Sequence, residues 1–304
     1  TPVDLEAQYS PPALPDIADA ATRFAYNRDR EPTRIERPDG SAIDLAYNPL
    51  GQLAALTPSA GAGNAVAYSY APGSGQLSSI ATADATLAIA YDGPLVTKET
   101  LSGGVAASIT RGFDTNFRIS SLGVNGVSTA YGYDADSLLT RAGDLTLARH
   151  PGHSMFSGST LGSLVTSQSY NGFGELAAFN AAHAGNALYG YSLAYDKGGR
   201  IVGRTETVQG ASSAYSYAYD AAGRLSSVTR DGASQGSWGY DANGNRTHEG
   251  GSLVAQFDAQ DRLQSRAGTS YRYTAHGTLR EKVQAGQTTR YGYDAFGNLR
   301  SVEL

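Results

Sequence analysis

An aromatic residue followed by Asp or Asn, with Gly and then Leu or Ile at fixed offsets, recurs along nearly the whole chain. A chain written this way has few folds open to it. The clearest copy is Tyr219-Asp220-Ala221-Ala222-Gly223-Arg224-Leu225. Close relatives begin at Tyr195, Tyr293 and Tyr47, and looser ones at Tyr26, Tyr70, Tyr91, Phe113, Tyr133, Tyr170, Tyr240, Phe257 and Tyr273. Successive starts of these thirteen copies lie 21, 23, 21, 22, 20, 37, 25, 24, 21, 17, 16 and 20 residues apart. A spacing near 20 holds two strands of about 5–8 residues and two turns.

Each motif position has a physical task. The aromatic ends a strand, and a second aromatic often stands two residues earlier, as Tyr68, Tyr131, Trp238 and Tyr291 do. A period of two puts both rings on one sheet face. Asp or Asn follows because its short side chain accepts from the backbone N–H two residues on. Gly at the fifth position supplies the left-handed residue that closes a type I turn with a bulge. Leu or Ile then opens the return strand, so each copy encodes a β-hairpin.

The one long gap, between Tyr133 and Tyr170, accommodates a degraded fourteenth copy, Arg149-His150-Pro151-Gly152-His153-Ser154-Met155. His150 takes the Asp position, His153 the Gly position and Met155 the Leu position; His tolerates positive φ better than most residues. Pro11, Pro12 and Pro15 exclude a regular helix before the array. The expected organisation is an extended Pro-rich lead-in over 1–21 and one hairpin array over 22–304. The fold class is therefore all-β: tandem antiparallel hairpins in a continuous sheet that must curl, since nearly 30 strands exceed what an open twisted sheet carries flat.

Composition narrows the function classes. The net charge of −5 and scattered arginines leave no basic stripe for a phosphate backbone, which argues against nucleic acid. No apolar run approaches the roughly 20 residues of a membrane-spanning helix. With no cysteine, disulfides and thiolate metal sites are excluded.

Candidate chemistry resolves into turn chemistry. His150 and His153 are spaced for two imidazoles on a metal, but a third ligand is missing and the turn explains both. His183, His248 and His276 fall in loop or turn contexts. Asp196, Asp220, Asp241 and Asp294 resemble paired catalytic carboxylates only until they are seen to occupy one turn position in separate repeats. Gly232-Ala233-Ser234-Gln235-Gly236 matches a nucleophile elbow in letters, yet lies where a hairpin turn is expected and not between strand and helix. Asp241-Ala242-Asn243-Gly244-Asn245 is likewise a repeat turn and not a phosphate loop. Tyrosine faces can stack on sugar rings, but packing of the sheet is the simpler expectation. No catalytic, cofactor or metal residue is assigned, no cofactor is expected, and the chain is not expected to be an enzyme.

The tandem copies resemble the YD repeats of bacterial Rhs proteins, of Tc insecticidal toxin cocoon subunits and of animal teneurins, over about Thr22 to Leu304. The resemblance implies long antiparallel strands spiralling into a hollow shell. In Rhs and Tc proteins that shell encloses a C-terminal toxin, often released by self-cleavage. Rhs cores usually end in a segment with an Asp-Pro-x-Gly motif; no Asp-Pro pair occurs here, so no cleavage aspartate carries over. The expectation is a shell segment of an Rhs-type secreted toxin, part of a longer protein, at the bacterial surface or beyond it. Its partners would be an effector domain or further repeats of the same polypeptide. The alternative is a surface adhesion or structural protein that self-assembles through edge strands or binds a glycan.

Overall fold

The computed structural model describes residues 5–15, 17, 19–59 and 65–304. All regular secondary structure among them is strand, running from Gln8–Tyr9 to Leu299–Glu303. Strands pair antiparallel with their neighbours in sequence, as in Ala42–Tyr47 with Leu53–Pro58, or Ala211–Tyr219 with Leu225–Arg230. The chain forms two compact units. One comprises Thr1–Ile109, Asp241–Thr247 and Val254–Leu304, the other Thr110–Tyr240 and His248–Leu253.

The expected turn is present and nearly invariant. After the aromatic, the Asp or Asn amide donates to the carbonyl four residues on, and its own carbonyl accepts from the amide three residues on. At Asp220 these bonds are Asp220 N to Arg224 O, 2.8 Å, and Gly223 N to Asp220 O, 2.9 Å. The ladder slips by one residue just before the aromatic, between Ala218 and Tyr219 here and at the same point in most copies. This slip is the bulge that the motif predicts.

The fifth position is left-handed whether or not it is Gly. Gly223 has φ 80° and Gly244 φ 93°, but Phe117 has φ 60°, Ser137 64° and Asp261 59°. A Cβ on Gly244 would meet nothing within 4 Å, so only the backbone conformation selects Gly there.

Three copies depart from the rule. At Tyr70 the turn is one residue longer: Ala71 N donates to Gln76 O at 2.8 Å, and Gly75 is the left-handed residue at φ 70°. The fourteenth copy is a hairpin, but its turn is one residue longer than the alignment assigned. His150 N donates to Met155 O at 2.8 Å, Ser154 is the left-handed residue at φ 57°, and Phe156 opens the return strand opposite Arg149. Ser154 and Phe156 thus hold the roles given to His153 and Met155, because Pro151-Gly152 lengthens the loop. At Tyr91 the strand runs on through Asp92, which pairs with Leu95 around a two-residue Gly93-Pro94 loop.

In the first unit the beginning and end of the array meet. Gln8–Tyr9 pairs with Thr22–Tyr26, and Leu14 is buried. Gln260 Nε2 donates to Pro12 O at 2.8 Å, and His276 Nδ1 lies 3.0 Å from Asp39 Oδ2. The Arg37 guanidinium donates to the Ala295 carbonyl. No large side chain among the described residues is fully buried. Among the described residues the strands form two half-buried sheets, one of 24 strands and one of six beginning at Ala255–Phe257, held by ladders and cross-strand pairs more than by a dense core.

Backbone strain at the fifth position is measurable. Gly244→Ala should cost about 1 kcal/mol, and Phe117→Gly should gain about the same. Equilibrium denaturation of the two variants checks both signs.

Candidate interaction face

The motif tyrosines do more than pack. Nine of their hydroxyls among the described residues donate to the carbonyl of the residue that opens the preceding return strand, at 2.6–2.9 Å. Tyr195 reaches Leu176 O, Tyr219 reaches Ile201 O, and Tyr240 reaches Leu225 O. Tyr26, at the start, reaches Glu6 O instead. This ladder ties each repeat to the one before it. Sequence reading placed the rings on one face but missed the bond, because its acceptor lies some 10–19 residues away and is a carbonyl.

The residue at motif position six completes the link. Where the cap is Asp it is often Arg: Asp114 with Arg118, Asp196 with Arg200, Asp220 with Arg224, and Asp258 with Arg262, at 2.7–2.8 Å. Each guanidinium then lies over the tyrosine ring of the next repeat, at 4.5 Å for Tyr133, 4.9 Å for Tyr219, 4.7 Å for Tyr240 and 4.9 Å for Tyr273. Where the cap is Asn the partner is Glu or Gln, as Asn27–Glu31, Asn48–Gln52 and Asn171–Glu175. This charge matching is visible in the sequence once the four-residue offset is known.

The weighed residues fall into these roles. Asp196 Oδ1 accepts from Gly198 N and Arg200 N at 2.8 and 3.0 Å. Asp220, Asp241 and Asp294 repeat the pattern. His150 Nδ1 accepts from Gly152 N at 3.1 Å, as an Asp would, and its ring stacks on His153 at 3.9 Å. His183 Nε2 meets Ser163 Oγ at 2.8 Å. Contrary to the loop or turn expected of them, His183 closes the strand Leu176–His183 and His248 lies within the strand Arg246–Glu249, where pairing with Leu253 extends the ladder; His276 is in a repeat turn and faces Asp39. Ser234 sits within the strand Ala233–Tyr240, directly after the Asp231-Gly232 turn, with no helix behind it. No group of three His, Asp or Glu residues among the described residues is arranged for a metal ion.

One place carries aromatics the repeat does not require. In the second unit, Tyr189, Tyr191, Leu193 and Tyr195 share a face of the strand Asn186–Tyr195. The register sets Arg204 opposite both Leu193 and Tyr215, and Glu206 opposite Tyr191. Arg204 Nη2 donates to the Tyr189 hydroxyl at 2.6 Å and pairs with Glu206. Its guanidinium lies 5.4 Å from the Tyr191 ring and 5.7 Å from the Tyr215 ring. Burial, then the Glu206 carboxylate, pushes the Tyr189 hydroxyl above its ordinary value. Tyr189, Tyr191, Leu193, Tyr195 and Arg204, with Tyr217 and Tyr219, line an open groove of about 660 Å³.

The capping carboxyls carry a pH dependence of definite sign. The Arg224 amide holds Asp220 below the usual carboxylate range, and the Arg224 guanidinium adds to this against the opposing effect of burial. Asp196 is lowered in the same way, first by the Arg200 amide. Stabilisation by a lowered carboxyl is present above the ordinary Asp value of about 3.9 and is lost as pH falls through the folded value. Melting temperature should therefore fall on acidification below about pH 4, and Asp220→Asn should lower it at neutral pH while shrinking the acid loss. The ladder makes a second expectation: Tyr195→Phe should cost about 1 kcal/mol and Tyr191→Phe, two periods of the pleat away, much less. Thermal melts of the two variants decide it.

Comparison with known proteins agrees with this geometry. Among curated proteins none matches the chain. A Photorhabdus luminescens Tc holotoxin pore structure superposes with a TM-score of 0.70 at 12% identity, over 92% of this chain and 19% of that one. A TcdB2-TccC3-TEV crystal structure superposes at 0.58 and 11% identity, over 92% and 20%. TcdB2-TccC3-Cdc42 does so at 0.53 and 11%, over 93% and 20%. The chain thus spans about a fifth of the length of these solved chains, and at such identity the likeness is one of fold. The Teneurin YD-shell family model matches residues 25–304, nearly the whole hairpin array, and the chain belongs to that family.

Proposed function

We propose that this chain is a wall segment of a secreted, Rhs-type toxin shell, and that its work is containment and not catalysis. The observation that carries this reading is a set of linked hairpins in which no large side chain among the described residues is fully buried. Such a sheet leaves apolar side chains half-exposed on its faces; Leu176, Leu193, Ile201 and Leu225 are examples in the second unit. A surface of that kind is normally covered in the working assembly. Family membership and the likeness to Tc toxin structures support a shell over an isolated sheet.

Containment needs a wall that does not fray. The ladder provides this, because opening one hairpin would break the hydroxyl bond on each side of it as well as the strand pairing. An effector domain of the same polypeptide, or one bound to it, is the cargo this reading assigns, and a bacterial exported protein is the setting. No helix among the described residues is long and apolar enough to cross a membrane.

The test is proteolysis of the natively produced protein, followed by denatured intact mass. A shell predicts an effector polypeptide that stays intact under protease and becomes digestible when paired ladder variants, Tyr195→Phe with Tyr219→Phe, loosen the wall. Digestion of every non-repeat segment at the rate of unfolded chain would overturn containment.

A further inference from the structure

The turn at His150 is built on two rings where the Asp copies are built on charge. At Asp220 a carboxylate accepts the turn amides and pairs with Arg224, whose guanidinium lies over Tyr240. At His150 the acceptors are imidazoles. His150 Nδ1 takes the Gly152 amide at 3.1 Å, and His153 Nδ1 takes the Met155 amide at 3.3 Å. The rings stack at 3.9 Å, 5° from parallel, and His153 meets Tyr170 edge-on at 5.9 Å. Tyr170 donates its hydroxyl to Phe156 O at 2.8 Å, at the start of the return strand. Cap, link and ladder are all present, with imidazoles standing for the carboxylate and the guanidinium.

We propose that this hairpin, Leu145–Arg149 with Phe156–Leu161, is an acid-labile seam, closed at neutral pH and opening between about pH 7 and 5. The reason is a count of donors and acceptors. A neutral imidazole has one acceptor nitrogen and an imidazolium has none. A second proton on either ring therefore takes the acceptor from the Gly152 or the Met155 N–H, whichever way the ring is turned. Protonation of both also sets two cations face to face at 3.9 Å. Arg149 already brings a positive charge to the turn, its guanidinium donating to Ser154 O at 3.2 Å and to Leu139 O at 3.4 Å. The closed hairpin thus binds fewer protons than the open one, so its stability is present above the ordinary histidine value of about 6.5 and is lost as pH falls.

The neighbouring turns do not offset this. Asp134 of the preceding turn holds the amides of Asp136 and Leu138, and Asp136 is exposed. Glu175 of the following turn is tied to the Asn171 side chain. Neither ring has an ion-pair partner among the described residues. A metal ion would not hold the stack either, because near-parallel rings aim their remaining nitrogens side by side and not at one point. Elsewhere the caps keep their charge over this range, since Asp196 and Asp220 lie below the usual carboxylate values. His183 faces a hydroxyl that can accept, and His276 faces a carboxylate, so a proton costs neither its bond. Opening is therefore local to this copy, and it releases the Tyr170 ladder bond with the turn. The inference concerns the hairpin itself and is independent of containment; either can fail without the other.

The test is amide hydrogen exchange of the full chain, read by mass spectrometry at about pH 7.5 and about pH 5 and corrected for intrinsic rates. Each proton taken up on opening shifts the equilibrium by up to about tenfold per pH unit. Peptides from Leu145–Arg149 and Phe156–Leu161 should therefore lose protection about tenfold or more at the lower pH. Peptides spanning the Asp196 and Asp220 turns should keep theirs. The double variant His150→Asn with His153→Asn, whose amide oxygens accept at every pH, should abolish the loss. If that variant is unprotected at neutral pH, His150→Asp is read in its place and should cut the loss to about threefold or less, since a carboxylate faces His153. Undiminished protection of the parent at about pH 5 overturns the proposal. So does a loss shared equally by all hairpins, or one that a variant protected at neutral pH retains in full.

Discussion

A tyrosine hydroxyl that donates to a carbonyl in the preceding hairpin organises this molecule. Strand pairing alone fixes each hairpin against its neighbours through the backbone, and a long sheet so made can slip in register or shear. The hydroxyl bond couples register to side chain: Tyr219 reaches Ile201 O only if the turn at Asp196 has closed and the return strand has started where it does. Turn, bulge and ladder are thus one device. The guanidinium of Arg200, tied to Asp196 and lying over Tyr219, links the cap of one repeat to the ladder residue of the next.

A device of this sort suits a protein without a dense core. Half-buried faces cannot supply the hydrophobic stabilisation of a globular domain, so more of the stability is local and between neighbours, as in other repeat arrays. It also explains why the turn tolerates poor residues. Phe117 and Asp261 hold the left-handed position at a cost of order 1–3 kcal/mol each, which persists because the bonds around the turn over-determine its geometry. Phe113 and Phe257 carry no hydroxyl and cannot extend the ladder. Both lie close to positions where the chain passes from one compact unit to the other.

The groove around Arg204 follows a different rule. The ladder repeats because the geometry of the hairpin repeats; the groove does not, because Tyr189, Tyr191, Arg204 and Glu206 are particular to one pair of strands.

The hairpins, their turn type and the bulge were determined by the sequence alone. They are local events: an Asp side chain, a left-handed residue and a period of two act within a few residues, and Tyr219-Asp220-Ala221-Ala222-Gly223 states all of them. The His150 copy was legible as a hairpin but not in its length, since Pro151-Gly152 and His153-Ser154 offer two closings that differ by one residue. Only the tertiary structure decided the rest. That Tyr195 donates to Leu176 O, that Asp39 meets His276, and that Arg204 sits between Tyr191 and Tyr215 depend on strand order, register and the packing of distant segments. A carbonyl leaves no mark in the sequence, and a contact across more than 200 residues is fixed by how a sheet curls, which no local motif encodes.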